Sequence, residues 1–333
     1  MPGVNTPFET DMSKKPPLVS VQMLTYNHEK YIAQAIESVL SQKVIFPYEL
    51  VIGEDCSTDK TRCIVESYAQ KYPDRIKVVT SATNVGALAN DIRINHECDG
   101  KYIATLEGDD FWNDDSKLQK QVDFLEHNPE YGLVHSDVNH WYEKNRVLVE
   151  KYNALYRIHI PEGDIYYELL DPDRYLIKTP TALFRKDLHD RNVDYEIVRE
   201  RGWVIADLFA WLSMAKITKI KYMPEAMATY RVLLDSSSNT KNYSKKIDLH
   251  RSVYEIRSYF AERYPCDEAT IKKIQTRRMQ TMLFDAYKTG DQTLASNAIK
   301  LARDNKIDLV LKNWILYVGT LSKLLNRLLN RLW

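Results

Sequence analysis

Short apolar stretches alternate with longer amphipathic stretches over residues 18–137. The apolar stretches predict strands at 18–24, 49–52, 76–79, 102–106 and 132–136. The spacing of apolar positions between them predicts helices at 31–42, 58–71, 85–96 and 117–127. Because strands that alternate with helices form βαβ units, we expect an α/β fold with a mostly parallel sheet flanked by helices. Ligands of such sheets bind at the carboxyl ends of the strands.

The last third of the chain carries a helical pattern only. Apolar positions from about 244 to 306 repeat at helical spacing, with breaks near Pro265 and Gly290. The predicted boundaries are therefore a flexible N-terminus at 1–17, an α/β domain at 18–240, a helical extension at 241–308 and a C-terminal helix at 309–333.

The C-terminal helix is amphipathic, and its charged residues are all basic. One stripe of it would hold Trp314, Val318, Leu321, Leu325, Leu328 and Leu332. Two interpretations remain open. The helix could lie on an anionic membrane surface, or it could pack on the preceding domain or on a second subunit.

The charge balance and the spacing of the glycines exclude some classes of function. The 333 residues contain 46 Lys and Arg against 46 Asp and Glu, and this neutrality argues against a nucleic-acid partner. The neutrality is a sum of opposed parts, because residues 1–240 hold 28 basic and 37 acidic side chains, whereas residues 241–333 hold 18 and 9. None of the 10 glycines has the spacing of G-x-G-x-x-G or of the Walker A loop, which excludes these phosphate-binding loops.

Cysteine usage and the first residues of the chain predict a cytoplasmic location. The four cysteines form no C-x-x-C pair, and free thiols are typical of a reducing compartment. Residues 1–17 are polar without an apolar signal core, and no window reaches the about 18 apolar residues of a spanning helix. We expect a cytoplasmic protein, peripheral on the inner membrane face if the C-terminal helix binds there.

Polar residues with the chemistry of a ligand site follow three of the predicted strands. They are Thr25, Tyr26 and Asn27, then Glu54 and Asp55, then Glu107, Asp109 and Asp110. Gathered carboxylates repel one another unless a cation lies among them, and an all-oxygen set favours Mg²⁺ or Mn²⁺. Single members could instead cap a helix or form a turn. Acidic clusters at strand ends also occur in receiver domains and phosphatases.

Three blocks of sequence together resemble glycosyltransferase family 2, which has the GT-A fold, a Rossmann-like mostly parallel sheet. The blocks are VSVQMLTYNHEKYIAQAIESVLSQ, ELVIGEDCSTDKT and GKYIATLEGDDFW. The resemblance covers residues 18–240 and implies that Thr25, Tyr26, Asn27, Glu54 and Asp55 bind the donor nucleotide, with Thr25 and Tyr26 against its base. It further implies that Asp109 contacts the ribose or the metal, and that Asp110, with Asp109 and Glu107, binds Mn²⁺ or Mg²⁺. Glu107 and Glu54 stand where the family usually has Asp.

The resemblance also assigns a base and a phosphate ligand. Asp207, in the apolar run WVIADLFAWLSMA, lies where the family has its catalytic base, although Ala206 replaces the usual first acid. The alternative is that Asp207 is only the N-cap of a helix at 208–215. Arg231, before Ser236–Ser238, matches a segment that closes over the diphosphate, and guanidinium suits phosphate oxygens. Arg231 could also be a surface cation or a partner of Asp235.

The sequence therefore predicts a metal-dependent inverting glycosyltransferase. It would move a hexose from a nucleotide-diphosphate donor such as a UDP-sugar to a growing, lipid-linked surface glycan, as in capsule or lipopolysaccharide assembly. Two other classes stay open. One is a nucleotide-sugar hydrolase or nucleotidyltransferase that uses the same acidic crevice. The other is a non-catalytic scaffold that its C-terminal helix tethers to the membrane.

Overall fold

The computed structural model describes residues 16–234, 240 and 242–322. These residues divide into two compact units, each continuous in space but not in sequence. The first unit contains residues 16–163, 177–192 and 217–231, and the second contains the other described residues. Residues 323–333 of the predicted C-terminal helix lie outside the described residues. Residues 1–15 of the predicted flexible N-terminus and the whole Ser236–Ser238 segment also lie outside them.

The first unit is built on a twisted mixed sheet. Its strands are β1 (Val19–Thr25), β2 (Tyr48–Glu54), β3 (Ile76–Thr80), β4 (Tyr102–Glu107), β5 (Phe111–Trp112), β6 (Tyr131–Tyr142), β7 (Val147–Val149), β8 (Leu183–Arg185) and β9 (Lys219–Val232). The strands lie in the order β3-β2-β1-β4-β8-β6-β9-β5, and β7 pairs with residues 140–142 of β6 outside this order.

The first four strands of the sheet order are parallel, which brings their carboxyl ends to one edge. Thr25 lies opposite Glu54, and Leu24 lies opposite Glu107, in the register of β1 with its two neighbours. The strand β8 is antiparallel to both β4 and β6, so β6 runs in the same direction as β4. The carboxyl end of β6 therefore also lies at this edge.

Among the described residues, six α-helices and a 3-10 turn belong to the sheet or its connections, and the other helices form the second unit. The helices near the sheet are α1 (Ile32–Leu40), α2 (Thr61–Lys71), α3 (Ala87–Asn95), α4 (Lys117–His127), α5 (Tyr152–Leu155), α7 (Lys186–Asn192) and a 3-10 turn at Thr179–Thr181. The apolar faces of α1 and α4 pack on the buried side chains of β1, β2 and β4 in one core. Helix α3 packs on the other face, where a Cβ atom at Gly53 would meet Asn90 and Ile94. Because both faces are covered, these strands are apolar runs in the sequence.

The second unit is helical. Its helices are α6 (Tyr166–Leu170), α8 (Tyr195–Glu200), α9 (Asp207–Ala215), α10 (Tyr243–Arg263), α11 (Glu268–Thr289), α12 (Gln292–Asp304) and α13 (Leu311–Leu321). Asn242, Asp267 and Asp291 cap the N-termini of α10, α11 and α12 through their side-chain oxygens. Gly290 ends α11 at φ 72°, a left-handed conformation that glycine adopts freely.

The α/β prediction and the helical extension are confirmed. Within the described part of the chain, no helix is both long and apolar enough to cross a membrane. The predicted domain boundary at 240 stays a prediction. The units above differ from it, because residues 164–176 and 193–216 belong with the long C-terminal helices.

Candidate functional site

The turn after β1 contains Thr25, Tyr26 and Asn27. Thr25 is buried, and its Oγ1 lies 3.2 Å from His28 Nδ1. Asn27 has φ 56°, a left-handed conformation in which asparagine is enriched. Its Oδ1 accepts the backbone N–H of Thr58 at 2.8 Å. The turns after β1 and β2 are therefore tied together, while the Tyr26 side chain stays exposed.

Glu54, the last residue of β2, is a fully buried carboxylate with two strong partners. It accepts the Ser57 backbone N–H at 2.7 Å and the Arg62 Nε–H at 2.5 Å. Burial alone would raise the pKa of Glu54, but the hydrogen bonds and positive charge from Ser57 and Arg62 outweigh it and hold the pKa below its ordinary value. Glu54 is therefore ionised at neutral pH and shapes the loop that follows β2.

The carboxylate of Asp55 connects the loop after β2 to the turn before α3. Its Oδ1 accepts the Val85 N–H at 2.9 Å and its Oδ2 accepts the Gly86 N–H at 2.9 Å. Gly86 has φ 87°, so this turn needs glycine. Asp55 does not cap α2, whose N-cap is Lys60. The carboxylate instead joins the loop after β2 to the turn before α3.

Glu107, Asp109 and Asp110 form an acidic turn at the end of β4. The Gly108 N–H donates to the Leu24 carbonyl at 2.8 Å, which draws the turn onto β1. A Cβ atom at Gly108 would lie 2.6 Å from Thr25 Oγ1 and 2.9 Å from His28 Nδ1. Only glycine therefore lets the acidic turn approach Thr25 this closely.

Asp110 is buried between two other acidic side chains. Burial raises the pKa of Asp110 well above its ordinary value, and the negative charges of Asp109 and Glu107 add to this effect. The Asp110 Oδ1 accepts the backbone N–H of Arg231 at 2.7 Å, which acts in the opposite direction. Acidic side chains are therefore concentrated in this turn, and burial makes the charged form of Asp110 costly.

Arg231 is buried and holds the acidic turn in place. Its Nε donates to the Asp109 carbonyl at 2.7 Å, its Nη2 donates to Gln34 Oε1 at 2.8 Å and its Nη1 lies 3.1 Å from Glu143 Oε2. The guanidinium also lies 4.6 Å from the centre of the Tyr31 ring. These contacts use one N–H of each guanidinium nitrogen, and the predicted role of Arg231 as a phosphate ligand stays a prediction.

The sequence did not predict Gln34 and Glu143 as residues of the site. They contact the guanidinium of Arg231 from α1 and from the residue after β6, far apart in the chain. Glu143 directly follows β6, a signal that the sequence could not give because the predicted strand at 132–136 ends seven residues before Glu143. Gln34 carries no such signal, because it lies in the first turn of an amphipathic helix and follows no strand.

Asp207 belongs to the second unit and is the first residue of α9. It is not the N-cap, which is Ala206, although its Oδ1 accepts the N–H of Leu208 at 2.6 Å. The hydroxyl of Tyr175, a half-exposed side chain, donates to the other carboxylate oxygen. The buried Arg257 fixes the segment before Tyr175 by donating to the carbonyl of Arg174 at 2.8 Å. Asp207 is therefore held by its neighbours and partly open to solvent.

The acidic turn fits a divalent cation only in part. Among the described residues, no three His, Cys, Asp or Glu side chains converge as a ready-made metal site. Mg²⁺, however, is commonly held by one or two carboxylates together with substrate phosphates rather than by a protein cage. Oxygen donors whose charges raise the pKa of Asp110 suit such a shared site.

The model of the family "Glycosyl transferase family 2" matches residues 20–191. The chain belongs to glycosyltransferase family 2. TuaG of Bacillus subtilis, a putative teichuronic acid biosynthesis glycosyltransferase, is 32% identical over 238 residues, 69% of this chain and 85% of TuaG. The chain spans 58% of the length of the mycobacterial relatives that it matches at 32% identity.

Two solved structures with bound nucleotide sugars share the fold of this chain. TarS of S. aureus in complex with UDP-GlcNAc aligns with a TM-score of 0.54 and 18% identity over 91% of this chain and 79% of TarS. A mannosyltransferase from Pyrobaculum calidifontis in complex with GDP-Man and Mn²⁺ aligns with a TM-score of 0.52 and 14% identity over 96% of this chain and 88% of the other. At such identities the likeness supports the GT-A fold.

Proposed function

We propose that this family 2 member is a metal-dependent, inverting glycosyltransferase. It transfers a hexose from a UDP-sugar to a growing, lipid-linked surface glycan. The observation that carries the proposal is the meeting of three strand ends, those of β1, β2 and β4, at one edge of the sheet with Thr25, Glu54 and Glu107 in adjacent register. Ligands of parallel sheets bind at such an edge.

On the donor side, the rigid turns supply the binding surface. Thr25, Tyr26 and Asn27 offer one exposed ring and polar groups for a base and ribose, and Asp55 keeps the neighbouring turn in position. The proposal for UDP as the nucleotide is supported by TarS, a protein of the same fold that was solved with UDP-GlcNAc.

Asp109 and Asp110, with Glu107, are the proposed ligands of Mn²⁺ or Mg²⁺. When bound, the cation neutralises charge on the leaving diphosphate. Arg231 keeps the acidic turn in one conformation through the Asp109 carbonyl and the Asp110 carboxylate. Such a fixed arrangement lowers the cost of reorganisation during transfer.

On the acceptor side, Asp207 is the proposed base. Its carboxylate takes the proton of the attacking hydroxyl, which then displaces the nucleoside diphosphate in a single step and inverts the anomeric carbon. The Tyr175 hydroxyl and the Leu208 N–H hold the two carboxylate oxygens, so the base has a defined orientation.

Asp207→Asn tests this assignment. The substitution keeps the shape of the side chain but removes the proton acceptor, so transfer should fall by at least about 100-fold, the usual size of a general-base contribution. UDP affinity should remain within twofold of the unaltered protein. Tyr175→Phe, which keeps the ring and removes the hydroxyl, should lower kcat by less than Asp207→Asn does.

The measurement is release of UDP from a panel of UDP-sugars with and without an acceptor extract. Transfer by Asp207→Asn at the rate of the unaltered protein would reassign the base. Release of free sugar without any acceptor would favour the hydrolase class. Absence of both release and UDP binding would favour the scaffold.

Association with an anionic membrane surface is proposed for residues 309–333. In the described part of this segment, Leu311, Trp314, Val318 and Leu321 are exposed along one side of α13. An apolar stripe with basic flanks is typical of helices that lie in the interface of a membrane. A lipid-linked acceptor would then lie close to the protein.

Sedimentation with liposomes of phosphatidylglycerol and phosphatidylcholine tests this association. We expect the full chain to sediment at low salt, and we expect Trp314→Ser with Leu311→Ser to reduce the bound fraction several-fold, since buried apolar area sets the binding strength. Equal sedimentation of the double variant and the unaltered protein would reject the membrane interpretation.

A further inference from the structure

The segment after β6, residues 144–158, differs in charge from the domain around it. It holds four Lys and Arg against one Glu, whereas residues 1–240 as a whole are acidic, with 28 basic and 37 acidic side chains. All four cations are exposed, namely Lys144, Arg146, Lys151 and Arg157. We call residues 144–158 the basic platform.

Strand β6 fixes the basic platform through two buried side chains. Asp137 accepts the Asn153 N–H at 3.0 Å and the Ala154 N–H at 3.2 Å with its two carboxylate oxygens. Asn139 Oδ1 accepts the Lys151 N–H at 2.9 Å. The short helix α5 is therefore anchored at its first turn by side chains of the sheet.

A row of packed rings runs from His140 on β6 to the surface of the basic platform, with His140 stacked on Tyr152 and Tyr152 tilted against Tyr156. The imidazole of His140 on β6 lies parallel to the Tyr152 ring at 3.8 Å, and Tyr152 contacts Tyr156 at 4.7 Å between ring centres. Burial lowers the pKa of His140 to about 4, with the charge of Lys178 acting in the same direction, so the row of rings is uncharged at neutral pH. Tyr156 ends the row and is 56% exposed.

Backbone strain concentrates in the same segment. Of the six non-glycine residues with positive φ among the described residues, Asn27 and Cys56 lie in the turns after β1 and β2. Three more lie in the basic platform, namely Arg146, Lys151 and Arg157. Such conformations cost energy and cluster where function requires them.

The basic platform is linked to the acidic turn. The strand β6 runs in the direction of β4, so Glu143, just after β6, lies at the edge that carries the acidic turn. Glu143 pairs with Arg231, whose Nε donates to the Asp109 carbonyl. A sugar on the basic platform would therefore be held by the same sheet that carries the donor-binding turns.

We propose that the basic platform binds an anionic sugar unit of the acceptor glycan. The apolar face of the sugar ring packs on Tyr156, and its carboxylate or phosphate group pairs with Lys151 and Arg157. The four exposed cations favour an anionic unit over a neutral one. This inference rests on the proposed glycosyltransferase function, since it names the class of its acceptor.

Calorimetric titration of the full chain with three defined probes tests the inference. They are trigalacturonate, which carries carboxylates, a trimer of glycerol phosphate, which carries phosphates, and neutral maltotriose. We expect one anionic trimer to bind more tightly than maltotriose, with the tighter of the two showing which anionic group is preferred. Tyr156→Ala and Lys151→Gln should each weaken that binding by about tenfold, a typical loss for one stacking or charged contact.

Exposed residues of α10 provide the matched controls. Tyr243→Ala and Lys245→Gln remove the same chemical groups elsewhere and should leave affinity within twofold. Equal binding of the three trimers, or anionic binding unchanged in both platform variants, would overturn the inference. So would a defect of these variants that is seen only with phosphatidylglycerol vesicles, since it would identify a membrane surface.

Titration with UDP and Mn²⁺ on the same samples separates the two proposals. UDP binding without trimer binding rejects the basic platform and leaves the donor site in place. Loss of UDP binding in the unaltered protein counts against the proposed function itself.

Discussion

Two buried cations of the first unit differ in how their charge is satisfied. Arg231 has acceptors from Asp109, Gln34 and Glu143 around its guanidinium. Lys117, fully buried in α4, has one neutral partner, Gln121 Oε1 at 2.8 Å, and lies 4.3 Å from the centre of the Trp112 ring. Burial lowers the pKa of Lys117 to about 7, against a weaker opposing effect of Asp114. Arg231 thus stabilises a turn, whereas Lys117 costs stability when it is charged.

Lys117→Met should make the protein more stable, and more so at pH 7 than at pH 9. An unfolded lysine holds its proton up to about pH 10.4. Between about pH 7 and that value the unfolded state therefore binds more protons, and the free energy of unfolding of the unaltered protein rises with pH. Methionine removes this contribution, so the gain in Tm should shrink as pH rises. Thermal unfolding followed by circular dichroism at both pH values measures it.

The exposed Lys71→Met on α2 serves as the control and should leave Tm nearly unchanged at both pH values. A gain in Tm for Lys117→Met that is equal at pH 7 and pH 9 would show that Lys117 is not neutralised by burial.

The sequence predicted individual residues well where they follow a strand directly. Thr25, Glu54 and Glu107 were predicted to follow their strands and are in fact the last residues of β1, β2 and β4, which the parallel register brings to one edge. Their roles in donor and metal binding stay predictions. Gln34 and Tyr175 could not be predicted, since each meets its partner through tertiary packing and neither has a local pattern.

At the scale of elements, the predicted helix starts of the first unit lie within three residues of the observed ones, whereas β6 continues six residues past its predicted end at 136 and β5, β7 and β9 were not predicted. Helix α2 begins at Thr61 rather than at 58, because the amides before it bond to side chains of other segments. Asn27 Oδ1 accepts the Thr58 N–H and Glu29 Oε2 accepts the Lys60 N–H. Periodicity reports apolar faces and carries no information on such bonds between loops. Helix α5 has too few residues to show a period at all.

Gly108→Ala tests whether the turn after β4 must approach β1. Its Cβ would lie 2.6 Å from Thr25 Oγ1, so the turn must move. We expect an overpacking cost of about 1–3 kcal/mol, a lower Tm and at least about a tenfold loss of UDP affinity.

Gly100→Ala is the matched variant, because its Cβ would lie 2.4 Å from the Ser20 backbone nitrogen, before β4 begins. It should lower Tm in the same way and leave UDP affinity nearly unchanged. Equal UDP affinity in Gly108→Ala and Gly100→Ala would separate the acidic turn from donor binding.

At the scale of the molecule, the sequence predicted the order of an α/β part and a helical part but not how segments are shared between them. Residues 164–176 and 193–216 precede the predicted boundary at 240 yet belong to the helical unit. Buried Arg257 on α10 donates to the carbonyls of Leu169 and Arg174, and Trp203 Nε1 donates to Glu255. A linear pattern cannot reveal such long-range bonds. The proposed base Asp207 lies in one of these segments.

Net charge is also divided between the two parts of the chain. The acidic side chains of residues 1–240 include the turn proposed to hold a cation, while the basic excess of residues 241–333 lies in the helical part. Formal neutrality of the whole chain therefore says little about either surface.

We propose that the acidic turn binds a nucleoside diphosphate together with a divalent cation. Calorimetry tests this binding. UDP is titrated, with and without Mn²⁺, into the unaltered protein, into Asp110→Asn and into the control Asp123→Asn. We predict that Mn²⁺ tightens UDP binding by at least about tenfold, and that Asp110→Asn, but not Asp123→Asn, removes this effect. UDP affinity that is the same with and without Mn²⁺, or a Mn²⁺ effect that survives in Asp110→Asn, would show that the acidic turn does not bind the cation together with the nucleotide.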